Sequence, residues 1–154
     1  MPDIVTSEKR SQMMAGIKGK NTKPEMLVRK LVHSLGYRYR LHVNDLPGKP
    51  DLVFPRHRGV IFVHGCFWHG HNCHLFKLPG TRQEFWKTKI EKNRMNDSKA
   101  KAALQNLGWR QLDIWECALK GKTKVSIDNV GGFISKWLCS DEQYNQLVGN
   151  AGEK

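Results

Sequence analysis

The spacing of apolar residues predicts an amphipathic helix near the start of the chain, from Thr22 to Gly36. Residues 22–25 have the T-x-x-E form of a capping box, and glycine commonly ends a helix. The apolar positions that would share one face are Leu27, Val28, Leu31, Val32 and Leu35. Residues 37–43 then alternate between apolar and basic side chains, which predicts a half-buried strand.

Two short apolar segments, 51–54 and 60–64, predict strands joined by a hairpin turn at PRHRG. The remaining predicted elements are a basic helix that opens with a second T-x-x-E pattern at 81–84 and ends at Gly108, a strand at 109–115 and a helix at 126–138. The order of helix, three strands, helix and strand predicts an α/β fold in which helices flank one mixed sheet.

A chain of 154 residues has the length of one ordinary domain. Residues 1–21 are polar and basic, so we expect an arm that becomes ordered on a partner. The domain itself is predicted over 22–139, and residues 140–154 are expected to form a polar tail.

The charge of the chain indicates a polyanionic partner. The formal net charge is +12, from 26 Lys and Arg against 14 Asp and Glu. The basic residues concentrate in 1–40 and 82–110, which predicts two basic surfaces. Nucleic acid is the leading partner, although a merely soluble basic protein is the alternative. The five Trp residues suit base stacking as well as they suit a core.

No apolar segment approaches the length of a membrane span, and the N-terminus lacks the apolar centre of a secretory signal. We therefore expect a cytosolic protein. Thiols stay reduced in the cytosol, so the four cysteines are expected to bind metal or to be buried rather than to form disulfides.

The segment GVIFVHGCFWHGHNCH, residues 59–74, contains a dense group of metal-ligand side chains. Cys66, His71 and Cys73 are a set that zinc binds tetrahedrally when a fourth ligand is added. Cys117 is the preferred fourth ligand, because a return strand would bring it to this loop. His74, His69 and Cys139 are the competing candidates, and buried cysteines without a metal are the simpler alternative. Four protein ligands would make the metal structural.

Asp51 follows Pro50 at a predicted strand start, beside the strand that ends in Val63 and His64. A carboxylate next to a backbone carbonyl of the neighbouring strand suits Mg²⁺. His64 and His69 would lie near such a metal and can position or deprotonate water, with Asp97 or Glu25 orienting an imidazole. Each of these residues alone also has an ordinary structural interpretation. Asp51 can be a turn residue, and His64 and His69 can each be a hydrogen-bonded structural histidine.

Phe67 and Trp68 lie between candidate zinc ligands, and Trp86 lies on the following helix. Aromatic pairs are usually core residues. A metal-held loop can instead present flat side chains for insertion between base pairs, which is easiest where pairing is already poor. This pattern favours a mismatch detector.

Three segments, LPGKPDLVF, VIFVHGCFWHGHNCHLFKLPGTRQEFW and LGWRQLDIWECALKGK, closely resemble the very short patch repair (Vsr) endonucleases. The resemblance extends from about residue 8 to 139. It implies a restriction-endonuclease-like αβββαβ core over 22–139 and nicking of double-stranded DNA at T:G mismatches left by 5-methylcytosine deamination. It also implies action by a monomer in the bacterial cytosol, at the nucleoid, with repair proteins as candidate partners.

The resemblance also implies roles for individual residues. Asp51 and the main-chain carbonyl of Val63 would bind Mg²⁺, and His69 would be the general base. The implied supporting catalytic groups are His64, Asp97 and Glu25. The implied structural zinc ligands are Cys66, His71, Cys73 and Cys117. The implied DNA contacts are an intercalating wedge of Phe67, Trp68 and Trp86, mismatch contacts from Lys89 and Asn93, and a minor-groove contact from Met14.

Two features depart from the patterns that the resemblance leads us to expect. Val63 stands where relatives have Thr, which matters only if a hydroxyl is needed. The strand 60–64 also lacks the second acidic residue and the lysine of many restriction enzymes, so histidines would have to replace the lysine. A nuclease with relaxed mismatch or sequence preference and a noncatalytic zinc-stabilised DNA-binding protein are the alternative functions.

Overall fold

A five-stranded mixed sheet forms the centre of the computed structural model, which describes residues 22–71, 73 and 75–150. The strands are β1 (Arg40–Leu41), β2 (Leu52–Phe54), β3 (Gly59–His64), β4 (Arg110–Trp115) and β5 (Tyr144–Leu147). The helices are α1 (Lys23–Ser34), α2 (Gln83–Asn106) and α3 (Ile127–Leu138), with short 3₁₀ turns at Pro55–His57 and Glu116–Ala118.

The strands lie in chain order across the sheet. The pairs β1–β2 and β2–β3 are antiparallel, whereas β3–β4 and β4–β5 are parallel and are connected through α2 and α3. Parallel neighbours require such crossovers. The predicted α/β fold with a mixed sheet flanked by helices is confirmed.

Both faces of β2 and β3 are covered, so these strands contain nearly continuous apolar sequence. On one face, α1 and α3 enclose the main core through Val28, Val32, Ile134 and Trp137. On the other face, α2 contributes Leu104 to a smaller cluster, which also contains Val53, Val60 and Phe62.

The two T-x-x-E patterns have different outcomes. At α1 the hydroxyl of Thr22 accepts a hydrogen bond from the backbone N–H of Glu25 at 3.4 Å, as predicted. At α2 the cap residue is Arg82, whose cationic side chain cannot accept from the backbone. Arg82 instead lies over the ring of Phe85, 4.4 Å from its centroid. The second capping prediction is therefore wrong.

The ends of the sheet also differ from the sequence analysis. Only two residues of 37–43 form a strand, because His42 adopts a left-handed backbone conformation with φ of 49°. Residues 144–147, expected to lie in a polar tail, form β5 and pair with β4. The arm 1–21, with Met14, lies outside the described residues. In the part of the chain that the structure describes, no helix is both long enough and apolar enough to cross a membrane.

Candidate active site

Two cavities, of about 640 and 390 Å³, meet beside the C-terminal end of β3. Asp51, Val63 and His69 line both of them. The larger cavity is also lined by the aromatic loop and by α2 through Phe67, Trp68, Lys89 and Asn93. The smaller cavity is lined by polar groups that include His42, His64, Asp97 and Gln111.

Asp51 occupies the oxygen-rich corner that the sequence predicts. Because β2 and β3 are antiparallel, the residue before β2 lies beside the end of β3. The Val63 N–H donates to Oδ2 of Asp51 at 2.7 Å, and the Asp51 N–H donates to the Ile61 carbonyl at 3.1 Å. Ligand atoms of Glu25, His42 and Asp51 lie within 4.8 Å of one another, so this group can hold a metal ion.

Burial raises the pKa of Asp51 to about 6, since removal from water disfavours the carboxylate. The hydrogen bond from Val63 opposes this increase, whereas the negative charge of Glu25 adds to it. A cation bound at this corner would oppose the increase in the pKa of Asp51, because it stabilises the carboxylate.

The two histidines predicted to be catalytic, His64 and His69, have separate carboxylate partners. His69 is hydrogen-bonded through Nδ1 to Oδ2 of Asp97, in accordance with the predicted orienting role of Asp97. His64 lies beside it, with ring centroids 4.4 Å apart, but its Nε2 is 3.1 Å from Oδ1 of Asp113. Glu25, the other predicted orienting group, is buried and contacts His42 instead of either catalytic candidate.

The electrostatics of His64 and Asp113 are mutually consistent. Burial lowers the pKa of His64, but the hydrogen bond and charge of Asp113 outweigh burial and raise it overall. For Asp113, burial acts to raise the pKa, and the bonds and charge of His64 outweigh it, so the pKa is lowered. Both shifts favour an ion pair within the sheet.

Asp113 and His42 are functional candidates that the sequence analysis missed. Asp113 had a weak signal, because a carboxylate in the otherwise apolar sequence LDIW of β4 needs a buried partner. No sequence signal pointed to His42, because it fits the alternation of apolar and basic side chains in residues 37–43.

The four predicted zinc ligands converge. Ligand atoms of Cys66, His71, Cys73 and Cys117 lie within 4.8 Å of one another, and Nδ1 of His71 is 3.5 Å from the sulfur of Cys66 and 3.6 Å from that of Cys117. The parallel register of β3 and β4 places His64 beside Trp115, so the residues after both strands meet at one edge.

The competing fourth ligands are placed elsewhere or lie outside the described residues. His69 belongs to the group with His64 and Asp97. Cys139 is exposed, with its sulfur 3.9 Å from the Tyr37 hydroxyl. His74 is not among the described residues. The geometry therefore favours Cys117 over the competitors that can be compared.

Burial raises the pKa of the Cys66 and Cys117 thiols, and burial also lowers the pKa of His71. A neutral imidazole is the form that binds zinc, whereas the thiols must lose their protons to do so. Outside the ligand set, the Gly149 N–H donates to the sulfur of Cys117 at 3.3 Å. A side chain at Gly149 would lie 2.6 Å from the Cys117 carbonyl, so glycine is required there.

The aromatic residues form one half-buried cluster, and two of its members, Phe67 and Trp68, line the larger cavity. Ring centroids are 5.2 Å apart for Phe67 and Trp68, 5.4 Å for Phe67 and Trp86, and 5.8 Å for Trp68 and Trp86. The side-chain amide of Asn93 donates to the Trp68 carbonyl at 2.8 Å. Asn93 thus fixes the loop that carries the aromatic pair, while Lys89 lines the same cavity.

Comparison with known proteins identifies relatives that cover nearly the whole chain. The sequence profile of the family described as DNA mismatch endonuclease Vsr matches residues 2–75. The DNA mismatch endonuclease Vsr of Escherichia coli is 42% identical over 147 residues, 96% of this chain and 94% of that protein.

Two relatives carry a different description. The type II nicking enzyme V.XorIIP of Xanthomonas oryzae is 52% identical over 84% of this chain and 97% of its own length. The type II nicking enzyme V.NmeAIP of Neisseria meningitidis is 44% identical over 79% of this chain and 87% of its own length. The chain therefore belongs to the Vsr family of endonucleases, which are hydrolases acting on DNA.

Proposed function

We propose that this endonuclease is Mg²⁺-dependent and nicks one strand 5′ of the mismatched T at T:G mismatches arising from 5-methylcytosine deamination. The nick would initiate very short patch repair. The observation that carries the proposal is that Phe67 and Trp68 share a cavity with Asp51 and His69. Trp86 packs against both aromatic rings. A lesion-sensing surface thus lies next to groups suited to phosphodiester hydrolysis.

Asp51 and the main-chain carbonyl of Val63 would hold Mg²⁺, with Glu25 as an accessory group. The donor set fits, because buried carboxylate and carbonyl oxygens are the ligands of hard cations. The bound ion would supply charge stabilisation at the scissile phosphate and at the departing oxygen. Val63 in place of threonine is compatible with this role, since only a backbone oxygen is used.

His69 is proposed as the general base. Asp97 holds Nδ1, so Nε2 is the nitrogen that can take a proton from the attacking water. As water bonds to phosphorus, the bond to the 3′ oxygen breaks, and the products are a 3′ hydroxyl and a 5′ phosphate. His64, 4.4 Å from His69 between ring centroids, is proposed to support this step.

Mismatch recognition is assigned to insertion of the aromatic wedge, which costs a few kcal/mol per unstacked step and is easiest at a weak pair. Lys89 and Asn93 are proposed to contact the mismatch, and Met14 to contact the minor groove. Cys66, His71, Cys73 and Cys117 are proposed to bind a structural zinc that fixes the wedge loop. The observed αβββαβ order up to β4 supports a restriction-endonuclease-like core, acting as a monomer in the cytosol.

The alternative of relaxed specificity has its own support, because several relatives are named as type II nicking enzymes. The noncatalytic alternative is set aside, because the chain belongs to a family of endonucleases.

The wedge hypothesis predicts that a T:G duplex with Mg²⁺ is nicked about 5- to 30-fold faster than its T:A counterpart, because the mismatch lowers the cost of insertion by roughly 1–2 kcal/mol. The measurement is single-turnover nicking across duplexes with different mismatches and flanking sequences. Trp68→Ala should reduce this discrimination, whereas Phe133→Leu, remote from the cavities, should not. Equal nicking of T:G and T:A would refute mismatch specificity, and equal nicking of several mismatches would favour relaxed specificity.

The raised pKa of Asp51 predicts an acid limit to activity. Only the carboxylate binds Mg²⁺, so at subsaturating Mg²⁺ the nicking rate should fall by about tenfold per pH unit below pH 6. Because metal and proton compete for Asp51, more Mg²⁺ should move the midpoint to lower pH. The measurement is the rate from pH 8 to about 5 at two Mg²⁺ concentrations. A midpoint that does not respond to Mg²⁺ would exclude Asp51 as its origin.

A further inference from the structure

Asp113 is a buried carboxylate on β4 that faces the catalytic histidines. In the parallel register of β3 and β4, Asp113 lies beside Phe62, two residues before His64. Alternate residues of a strand project from the same face, so His64, Phe62 and Asp113 share the face covered by α2. The Asp113 residue is only 7% exposed.

Both oxygens of this carboxylate are used. Oδ1 lies 3.1 Å from Nε2 of His64 and accepts from the side-chain amide of Gln111 at 2.8 Å. Oδ2 accepts from the hydroxyl of Tyr144 at 2.7 Å. Tyr144 is in turn covered by Lys101, whose Nζ is 3.4 Å from the ring centroid. Side chains on β3, β4 and β5 therefore contact the Asp113 carboxylate and hold it in one orientation, while Lys101 of α2 covers Tyr144.

The ring of His64 is also held on its faces. It stacks on Phe62 with centroids 5.6 Å apart and an interplanar angle of 4°, and the Trp115 ring lies 4.7 Å away. These contacts restrict the plane of the ring, but they do not distinguish its two nitrogens. The contact to Asp113 does distinguish the two nitrogens, because it involves Nε2.

Stability alone gives little reason for this arrangement. A buried ion pair is often no more stabilising than apolar residues of similar volume, and the neighbours of Asp113 in β4 are Leu112 and Ile114. The position is unusual because His64 lines the same cavity as Asp51, His69 and Asp97.

We propose that Asp113 is a positioning residue for the endonuclease, which fixes His64 through Nε2 so that Nδ1 is the ring nitrogen presented to the reacting DNA. The proposal rests on the catalytic role proposed for His64. Gln111 and Tyr144 orient the Asp113 carboxylate through the hydrogen bonds that they donate to it. Each of the two histidines then has its own carboxylate partner, which is Asp113 for His64 and Asp97 for His69.

The test compares Asp113→Leu, Asp113→Asn and Tyr144→Phe in zinc-loaded protein with Mg²⁺ and a T:G duplex. Loss of a carboxylate that orients a functional histidine typically costs about 10–100-fold. We expect the single-turnover rate to fall by about this factor in Asp113→Leu and by less in Asp113→Asn, which keeps an acceptor for Nε2. Tyr144→Phe should give an intermediate loss. DNA affinity should change by less than about threefold, since the effect is on chemistry.

The matched control is Asn145→Ala on β5, which removes the hydrogen bond donated to Glu142 and the one accepted from the Gln146 N–H without touching Asp113. It should nick at the wild-type rate. Nitrogen NMR of histidine-labelled protein without DNA gives a second readout, with the His64 signals assigned by their loss in His64→Asn. In wild type Nε2 should be protonated and hydrogen-bonded to the Asp113 carboxylate, so its signal should shift in Asp113→Leu, which removes the acceptor.

An Asp113→Leu protein that nicks within about twofold of wild type would overturn the proposal, and so would an unchanged Nε2 signal of His64 in that variant. If Asp113→Leu fails to fold, Asp113→Asn and Tyr144→Phe decide the question. If wild type does not nick, the proposed function fails, but the NMR comparison still reports whether Asp113 holds Nε2 of His64.

Discussion

Asp51→Asn is expected to reduce nicking of a T:G duplex by about 10³-fold or more while leaving mismatch affinity within a few-fold of wild type. The amide keeps the shape of the side chain and can still accept the hydrogen bond from the Val63 N–H. It removes the negative charge that the proposed Mg²⁺ requires. The charge stabilisation lost with the metal is worth several kcal/mol, and each 1.36 kcal/mol is a factor of ten in rate.

The measurement for this variant is single-turnover nicking at saturating enzyme, with binding to the same duplex measured separately. Asp128→Asn is the matched control, because Asp128 is exposed at the start of α3 and lines neither cavity. Nicking by Asp51→Asn within about tenfold of wild type would contradict the assignment of the metal to this carboxylate.

Cys66→Ser is expected to abolish stoichiometric zinc binding and to unfold the loop that carries the aromatic pair. Apparent binding free energies of structural zinc are about 10–16 kcal/mol in small domains, so the metal contributes directly to folding. The pKa of the buried Cys66 and Cys117 thiols is raised, so without a cation they would stay protonated. The measurements are zinc content after dialysis against a chelator and thermal unfolding.

Cys139→Ser controls for the general effect of removing a thiol, because Cys139 is exposed and its sulfur contacts Tyr37 instead of the cluster. It should retain zinc and the wild-type unfolding temperature. One zinc per chain in purified Cys66→Ser would exclude Cys66 as an essential ligand. Absence of zinc from wild type would refute the metal centre as a whole.

The parts of the fold that the sequence predicted are those governed by strong periodicity. The apolar stripe of α1 and the apolar strands β2 to β4 have few alternative arrangements. The choice of Cys117 followed from topology, since a strand that returns parallel to β3 must end near the loop after it. The arrangement of Cys66, His71 and Cys73 with Cys117 was thus accessible without a structure.

The residues that were missed depend on contacts across the sheet. β5 carries only one fully buried apolar side chain, Leu147, so its sequence resembles a tail. Tyr144 acquires its significance only when β5 pairs with β4 and its hydroxyl reaches Asp113. His42 meets Glu25 through a left-handed turn that no local pattern requires. Such pairings depend on tertiary geometry, which a propensity argument does not contain.

The hydrogen bond from Gly149 to the sulfur of Cys117 makes the last described residues part of the support of the proposed zinc site. The Asn150 N–H also donates to the Thr123 carbonyl, and the Thr123 hydroxyl donates to the carbonyl of Cys117. A shortened chain that stopped at Cys139 would therefore lose the edge strand β5 together with the amide that donates to the Cys117 sulfur. Minimal versions of this enzyme, and fusions at its carboxyl end, need to preserve the chain through Asn150.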